Sequence, residues 1–220
     1  KIERFIHTST IDVFEGISGK EYDESIIDPN PKGTLYERSK QQADQLVVAA
    51  LEKGLPAIFL HPAGLFGPGP TDSPGMNDFF VKLKNKQVPM LLPGGLPLVY
   101  GPDVGEGHVL AAEQADLGER FILCESYSSL PQLSKNVLHK INPKLKTPPV
   151  MPLPVAKMVS ILGEAVANLI NKAPLIPKGQ LHFLQWQAIP VSHKAQQQLG
   201  WQVTPFNEAL QDTLDYLIKN

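Results

Sequence analysis

The stretch TLYERSKQQADQLVVAALEKGLPAIFLHP, residues 34–62, decides the fold prediction because it joins a helix to a strand. Apolar residues recur in its first half at helical spacing and Gly54 follows them, which predicts a helix from Thr34 to about Lys53. The short apolar run Ala57 to His61 then predicts a buried strand.

A second apolar run, RFIHTST at residues 4–10, precedes this stretch and ends in small hydroxyl residues, as a parallel strand does at its carboxyl end. Strand, helix and strand at these lengths predict a βαβ unit, and therefore an α/β fold with a parallel sheet. Beyond Pro70 we predict helices in DSPGMNDFFVKLKNKQ, PDVGEGHVLAAEQAD (capped by Asp103), SSLPQLSKNVLHKI and residues 154–172, a strand in ERFILCES, and two closing helices around a Gly-Trp turn.

The composition excludes several classes of protein. Lys and Arg total 20 against 22 Asp and Glu, so no basic field for nucleic acid is evident. The single cysteine, Cys124, excludes an internal disulfide framework and a thiolate metal cluster, and we predict no metal site. No apolar run approaches the roughly 20 residues of a membrane span. We therefore expect a cytoplasmic protein without an integral membrane segment.

The beginning of the sequence is unusual. The first residue is Lys1, and KIERFIHTST runs straight into a predicted buried strand without a capping signal. We expect from this that the beginning of the chain is missing.

Tyr36 and Lys40 are the first candidates for chemistry. On a helix, residues four apart lie on one face, so the phenol and the ammonium group are one turn apart. A neighbouring lysine favours the phenolate and lowers the tyrosine pKa from its usual value of about 10. Such a tyrosine suits proton exchange with a hydroxyl or carbonyl oxygen. The alternative is that Tyr36 packs at a helix edge and Lys40 is a solvated surface residue.

Five segments in order resemble the extended short-chain dehydrogenase/reductases, the epimerase/dehydratase superfamily, and within it the dihydroflavonol-reductase and 3β-hydroxysteroid-dehydrogenase branch. They are HTSTIDVF (7–14), YERSK (36–40), HPAGLFGPG (61–69), DVGEGHVLAAE (103–113) and SHKAQQQLGW (192–201). The resemblance covers nearly the whole chain, and the joint spacing of the segments is more specific than any one of them.

The resemblance implies a Rossmann-type parallel sheet, of which this chain holds the C-terminal half. Residues 1–70 would carry the catalytic part of the dinucleotide-binding domain, and residues 71–220 a smaller α+β substrate-binding domain. Residues 100–125 would return to the first domain. The family's Gly-rich loop, which holds the cofactor pyrophosphate, would lie upstream of Lys1.

The resemblance also implies roles for individual residues. Tyr36 matches the catalytic acid/base, Lys40 the lysine that activates it and binds the nicotinamide ribose, and Thr10 the residue that holds the substrate oxygen, with Ser9 as neighbouring candidate. The implied NAD(P) contacts are Thr8, Ser9, Tyr36, Lys40, Pro62, Ala63, Gly64 and Leu65, and the implied substrate contacts are Thr10, Ile11, Asp12 and Met76.

The implied reaction is NAD(P)-dependent hydride transfer between the nicotinamide and a small secondary alcohol or ketone. Nucleotide-sugar members tend to carry an asparagine where this chain has Gly64, which favours an apolar, steroid-, flavonoid- or aldehyde-like substrate. His61 replaces an arginine usual in the family, and we assign it no role.

Two alternatives remain: a nucleotide-sugar epimerase or dehydratase, and a truncated, non-catalytic interaction protein with an exposed apolar sheet edge. Relatives that dimerise through the Tyr36 helix make a homodimer a further expectation.

Other candidates are expected to be structural. We predict that His108 makes a local hydrogen bond and that Cys124, Trp186 and Trp201 pack in the interior. Asp72 and Asp78, together with Met76, lie on the segment expected to cover the substrate. The amphipathic helix at residues 154–172 is predicted to form core or a lid, ahead of resting on a membrane surface.

Overall fold

The computed structural model describes residues 2–69, 75–170 and 178–219. Its strands are β1 Phe5–Thr8, β2 Glu21–Tyr22, β3 Ala57–Pro62, β4 Gly64–Phe66, β5 Gly95–Tyr100, β6 Arg120–Leu123, β7 Ser126–Ser129 and β8 Ile189–Pro190. Its helices are α1 Leu35–Leu51, α2 Met76–Lys84, α3 Gly101–Gln114, α4 Leu130–Ile141, α5 Leu153–Ile170, α6 Lys178–Trp186, α7 His193–Leu199 and α8 Phe206–Lys219, and a short 3-10 helix spans Ile11–Val13.

The predicted βαβ unit is confirmed. Strands β1, β3 and β6 form a parallel sheet in that order, with Phe5 opposite Ala57 and Phe59 opposite Arg120. All six residues of β3 are buried, as expected for a central strand covered on both faces. In the described part of the chain β1 is an edge strand of this sheet, and its residues are partly or fully exposed.

Helix α1 begins with a capping box. The Thr34 side chain accepts a hydrogen bond from the Glu37 backbone, and the Glu37 carboxylate accepts one from the Thr34 backbone. Thr34 is therefore the cap, and the helix ends at Leu51, two residues before the predicted end. Gly54 follows with φ +95°, a conformation that favours glycine. This cap fixes the place of Tyr36 in the first turn.

The prediction that Asp103 caps α3 is wrong. The helix begins at Gly101, and its N-cap is Tyr100, three residues before Asp103. The Asp103 carboxylate instead accepts hydrogen bonds from the Thr204 backbone (2.8 Å) and hydroxyl (2.7 Å). A buried carboxylate is more stable with two charge-assisted partners from a distant segment, which the local sequence does not reveal.

Several elements were not predicted. Strand β7 occupies part of the segment assigned to a helix, and it pairs antiparallel with β5 in a sheet of order β4-β5-β7. Helix α6 and the pair β2–β8 were also missed. The predicted end of the long helix at Lys172 and the candidate Asp72 lie outside the described residues.

The buried apolar residues form two main clusters. One surrounds the parallel sheet and includes Cys124 and Trp201, which confirms both as interior residues. The other lies between β5, α2, α4 and α8. Residues on both sides of position 70 contribute to each cluster, and the division into two domains stays a prediction. Within the described ranges, no helix has the length and apolar character needed to cross a membrane.

Candidate active site

A cleft of about 610 Å³ lies at the carboxyl ends of β1 and β3, next to the first turns of α1 and α6. Parallel strands bring the residues that follow them to one edge of the sheet, which is where α/β proteins bind ligands. Its lining residues are Thr8, Ser9, Thr10, Ile11, Asp12, Thr34, Tyr36, Glu37, Lys40, Pro62, Ala63, Gly64, Leu65, Gly179, Gln180 and Phe183.

All but one of the residues predicted to contact cofactor or substrate line this cleft. The exception is Met76, which begins α2 and packs against the second apolar cluster. The apolar residues of that helix face the interior, so Met76 shares their packing and does not reach the cleft. Asp78, on the same helix, pairs with Lys82 at 2.7 Å.

Tyr36 is 58% exposed, and Lys40 lies one turn further along α1. The predicted lowering of the Tyr36 pKa is wrong for this structure. Burial raises the pKa, the Asp12 carboxylate raises it further, and a hydrogen bond with Thr10 partly offsets both. Burial is the largest of these influences, and the phenol is favoured.

Thr10 and Asp12 form a buried pair beside Tyr36. The Thr10 hydroxyl donates to Asp12 Oδ2 at 2.9 Å, and the Asp12 backbone N–H donates to Thr10 Oγ1 at 3.3 Å. Asp12 is only 5% exposed, and its second oxygen, Oδ1, has no hydrogen-bond partner among the described residues. Burial raises the Asp12 pKa to about 6, and the bond from Thr10 lowers it.

The carbonyl of Thr10 meets a second polar cluster. His61 Nδ1 lies 3.1 Å from that oxygen, and because a carbonyl only accepts, Nδ1 carries the hydrogen. His61 Nε2 then accepts a hydrogen bond from Arg120 Nη1 at 3.2 Å. Arg120 Nη1 also forms an ion pair with Asp44 Oδ2 at 2.8 Å. Burial lowers the pKa of His61 to about 3, which keeps the ring neutral.

His108 makes the local hydrogen bond that was predicted. Its Nδ1 lies 2.7 Å from the Val104 carbonyl, one turn earlier on α3. Its Nε2 lies 2.8 Å from the hydroxyl of Thr8, a contact across 100 residues that the sequence did not suggest. His108 thus helps to orient one hydroxyl at the mouth of the cleft.

Sequence reasoning missed the contribution of α6. Gly179, Gln180 and Phe183 of this helix line the cleft opposite the strands. The helix approaches the loop before α1 closely, since a Cβ at Gly179 would lie 2.7 Å from Thr34 Cγ2. Trp186, at its end, donates to the Gly16 carbonyl at 2.9 Å. The helical spacing of Leu181 and Leu184, both buried, was the available signal.

Residues 1–124 match the family model described as the NAD dependent epimerase/dehydratase family. The chain belongs to this family. A dihydroflavonol 4-reductase-like protein from Synechocystis sp. is 25% identical over 225 residues, which cover 98% of this chain. The chain spans 64% of the length of that relative.

Solved structures of the epimerase/dehydratase type share the fold. The structure of gox2253 superimposes with a TM-score of 0.82 and 26% identity, over 99% of this chain and 67% of the other. A nucleoside-diphosphate-sugar epimerase from Pseudomonas aeruginosa gives a TM-score of 0.80 at 17% identity, over 100% of this chain and 68% of the other. The second likeness concerns the fold alone.

Proposed function

We propose that this chain carries the nicotinamide and substrate sites of an NAD(P)-dependent dehydrogenase/reductase that interconverts a small secondary alcohol and its ketone. The main support is the convergence of Thr10, Tyr36 and Lys40 at one cleft, in a member of an NAD-dependent family. Thr10 lies two residues after the end of β1, and Tyr36 and Lys40 lie on α1.

The cleft fits a nicotinamide riboside. The Tyr36 hydroxyl and the Lys40 ammonium are suited to the ribose hydroxyls, and the buried Ser9 hydroxyl has no hydrogen-bond partner in the described part of the chain. Pro62, Ala63 and Leu65 offer an apolar wall for a flat ring. We propose that these residues, with Thr8 and Gly64, hold the nicotinamide end of NAD(P).

When bound, the nicotinamide supplies or accepts the hydride. The chain handles the proton on the substrate oxygen. Tyr36 exchanges that proton, Thr10 holds the same oxygen by a hydrogen bond, and Lys40 stabilises negative charge on the phenol. A phenol with a raised pKa keeps its proton, so Tyr36 in this structure is suited to protonate the oxygen of a ketone during reduction.

The lining of the cleft favours an apolar substrate. Ile11, Leu65 and Phe183 supply apolar surface on different sides. An asparagine in place of Gly64 would bring its Cβ within 2.9 Å of the Pro97 carbonyl, so β4 lies too close to β5 for a side chain there without a shift. Both features support a small apolar ketone over a nucleotide sugar.

The test is hydride transfer from NADH or NADPH to a panel of aliphatic and aromatic ketones, with UDP-sugars as the contrasting class. We expect turnover of ketones, and a loss on the order of 10²–10⁴-fold in kcat for Tyr36→Phe because the acid/base is removed. Tyr127→Phe, in β7 and outside the cleft, is the matched control and should keep full activity. Equal activity of Tyr36→Phe and the native protein would refute the assignment. Absence of turnover in any arm would favour a non-catalytic interaction protein.

A further inference from the structure

Three side chains that can exchange a proton lie near one another on the hydroxyl side of Thr10: the hydroxyls of Thr10 and Tyr36 and the carboxyl group of Asp12. Asp12, Thr10 and Tyr36 all line the cleft; the Thr10 hydroxyl donates to Asp12 Oδ2 at 2.9 Å, and the Thr10 side chain is close enough to the Tyr36 phenol to lower its pKa. The Thr10 hydroxyl has a single hydrogen, so it can donate to only one neighbour at a time. The protonation of Asp12 therefore decides the direction of every hydrogen bond in the set.

Two arrangements satisfy the donors and acceptors. An ionised Asp12 only accepts, so Thr10 donates to Asp12 and can accept from the Tyr36 hydroxyl. A protonated Asp12 can donate to Thr10, which frees the Thr10 hydrogen for Tyr36 or for a substrate oxygen. The first arrangement draws a proton away from the substrate, and the second delivers one to it.

We infer that Asp12 is the terminal group of a proton relay that runs through Thr10 to Tyr36. The inference rests on the proposed function, because it takes Tyr36 to be the group that meets the reacting oxygen. It gives Asp12 a role beyond contact with the substrate.

The relay balances in both directions. In oxidation, the substrate O–H proton moves to the Tyr36 oxygen as the Tyr36 proton moves to Thr10 and the Thr10 proton moves to Asp12 Oδ2. The carbinol hydride goes to the oxidised nicotinamide, and the Asp12 carboxylate becomes a carboxylic acid. In reduction each proton returns by one position, and Asp12 ends as the carboxylate. Because Asp12 lines the cleft, it can exchange its proton with solvent between turnovers.

The surroundings of Asp12 suit this role. Its pKa, raised by burial to about 6, allows both protonation states near neutral pH. The charged or titratable groups that face it are Lys32 in the loop before α1, Glu37 and Tyr36 on α1, and Tyr22 on β2. The Lys32 ammonium favours the carboxylate and the Glu37 carboxylate favours the acid, so neither state is locked.

The experiment follows Asp12 Cγ and Tyr36 Cζ by ¹³C NMR from pH 4 to pH 8 in the cofactor-free chain. Asp12→Asn and Tyr36→Phe assign the two signals. We expect both signals to move with one midpoint near pH 6. Thr10→Val removes the hydroxyl but keeps the electrostatic coupling of Asp12 to Tyr36, and Thr10→Ser keeps the hydroxyl.

The relay predicts that the Tyr36 response at the Asp12 midpoint falls below half its native amplitude in Thr10→Val and is retained in Thr10→Ser. A continued titration of Asp12 in Thr10→Val shows that the site is folded. A Tyr36 signal that ignores the Asp12 midpoint in the native protein overturns the relay, and so does a response in Thr10→Val of half the native amplitude or more. Because no cofactor is present, these outcomes are independent of the hydride-transfer test.

Discussion

Thr10 lies between two polar clusters that are connected in different ways. On its carbonyl side, Asp44, Arg120 and His61 are linked in series by an ion pair and hydrogen bonds that end at the Thr10 oxygen. On its hydroxyl side, Asp12 is held by Thr10 through one oxygen only.

We expect the two clusters to have different roles: the carbonyl-side cluster supports the fold, and the hydroxyl-side cluster takes part in the chemistry. In the carbonyl-side cluster, Asp44 and His61 are buried, the Arg120 side chain is 13% exposed, and the series of contacts ends at the backbone oxygen of Thr10. In the hydroxyl-side cluster, Asp12 and the exposed Tyr36 line the cleft. Asp44 Oδ1 also lacks a hydrogen-bond partner among the described residues, so the two clusters differ in that Asp12 lines the cleft and Asp44 does not.

The largest expected effect comes from breaking the carbonyl-side cluster with Arg120→Met. This change leaves the Asp44 carboxylate buried without its guanidinium partner and removes the donor to His61. Loss of one member of a buried ion pair costs about 3–5 kcal/mol in the free energy of unfolding. Urea denaturation measures it, with exposed Lys53→Met as control, expected within about 0.5 kcal/mol of native. An Arg120→Met protein as stable as the control would show that the carbonyl-side cluster does not contribute to the free energy of unfolding.

The next effect comes from the hydroxyl-side cluster, through Asp12→Asn. The pKa of Asp12 is raised from 3.8 to about 6 in the folded state, so the folded protein holds a proton that the unfolded chain has already released. The native protein therefore loses stability as the pH rises from about 4 to 6, by about 3 kcal/mol in total. Asparagine does not titrate, so the variant should gain that amount relative to native between pH 4 and pH 7. Urea denaturation at each pH measures the free energy of unfolding of both proteins. The same pH dependence in the native protein and in Asp12→Asn would contradict the burial of an ionisable Asp12.

The smallest expected effect comes from a change that leaves both clusters intact. Phe183→Ala removes apolar surface that α6 contributes to the cleft. We expect KM for an apolar ketone to rise about tenfold, which corresponds to about 1.4 kcal/mol, with the pH dependence of kcat unchanged. Steady-state kinetics across pH measures both quantities. A shifted pH profile would mean that α6 also controls the polar groups.

The sequence predicted the parts of the site that depend on local pattern. Helical spacing, the glycine after α1 and the apolar run of β3 were enough to predict the βαβ unit and to put Tyr36 and Lys40 one turn apart on its helix. Their place at the site was implied by the family resemblance. The sequence did not predict the partners of Asp103 or the series from Asp44 to Thr10, since these join residues distant in the chain. Nor did it predict the direction of the Tyr36 pKa, which burial and a carboxylate on another element determine.

We propose above that this cleft holds the nicotinamide end of a dinucleotide. The most direct measurement is a titration of the chain with nicotinamide mononucleotide and with NADH, followed by ¹H–¹³C and ¹H–¹⁵N NMR. We expect chemical-shift changes at Thr8, Ser9, Lys40 and the 62–65 segment, with the shifts lost in Lys40→Met and kept in Lys53→Met. Shifts located elsewhere, or unchanged binding in Lys40→Met, would contradict it.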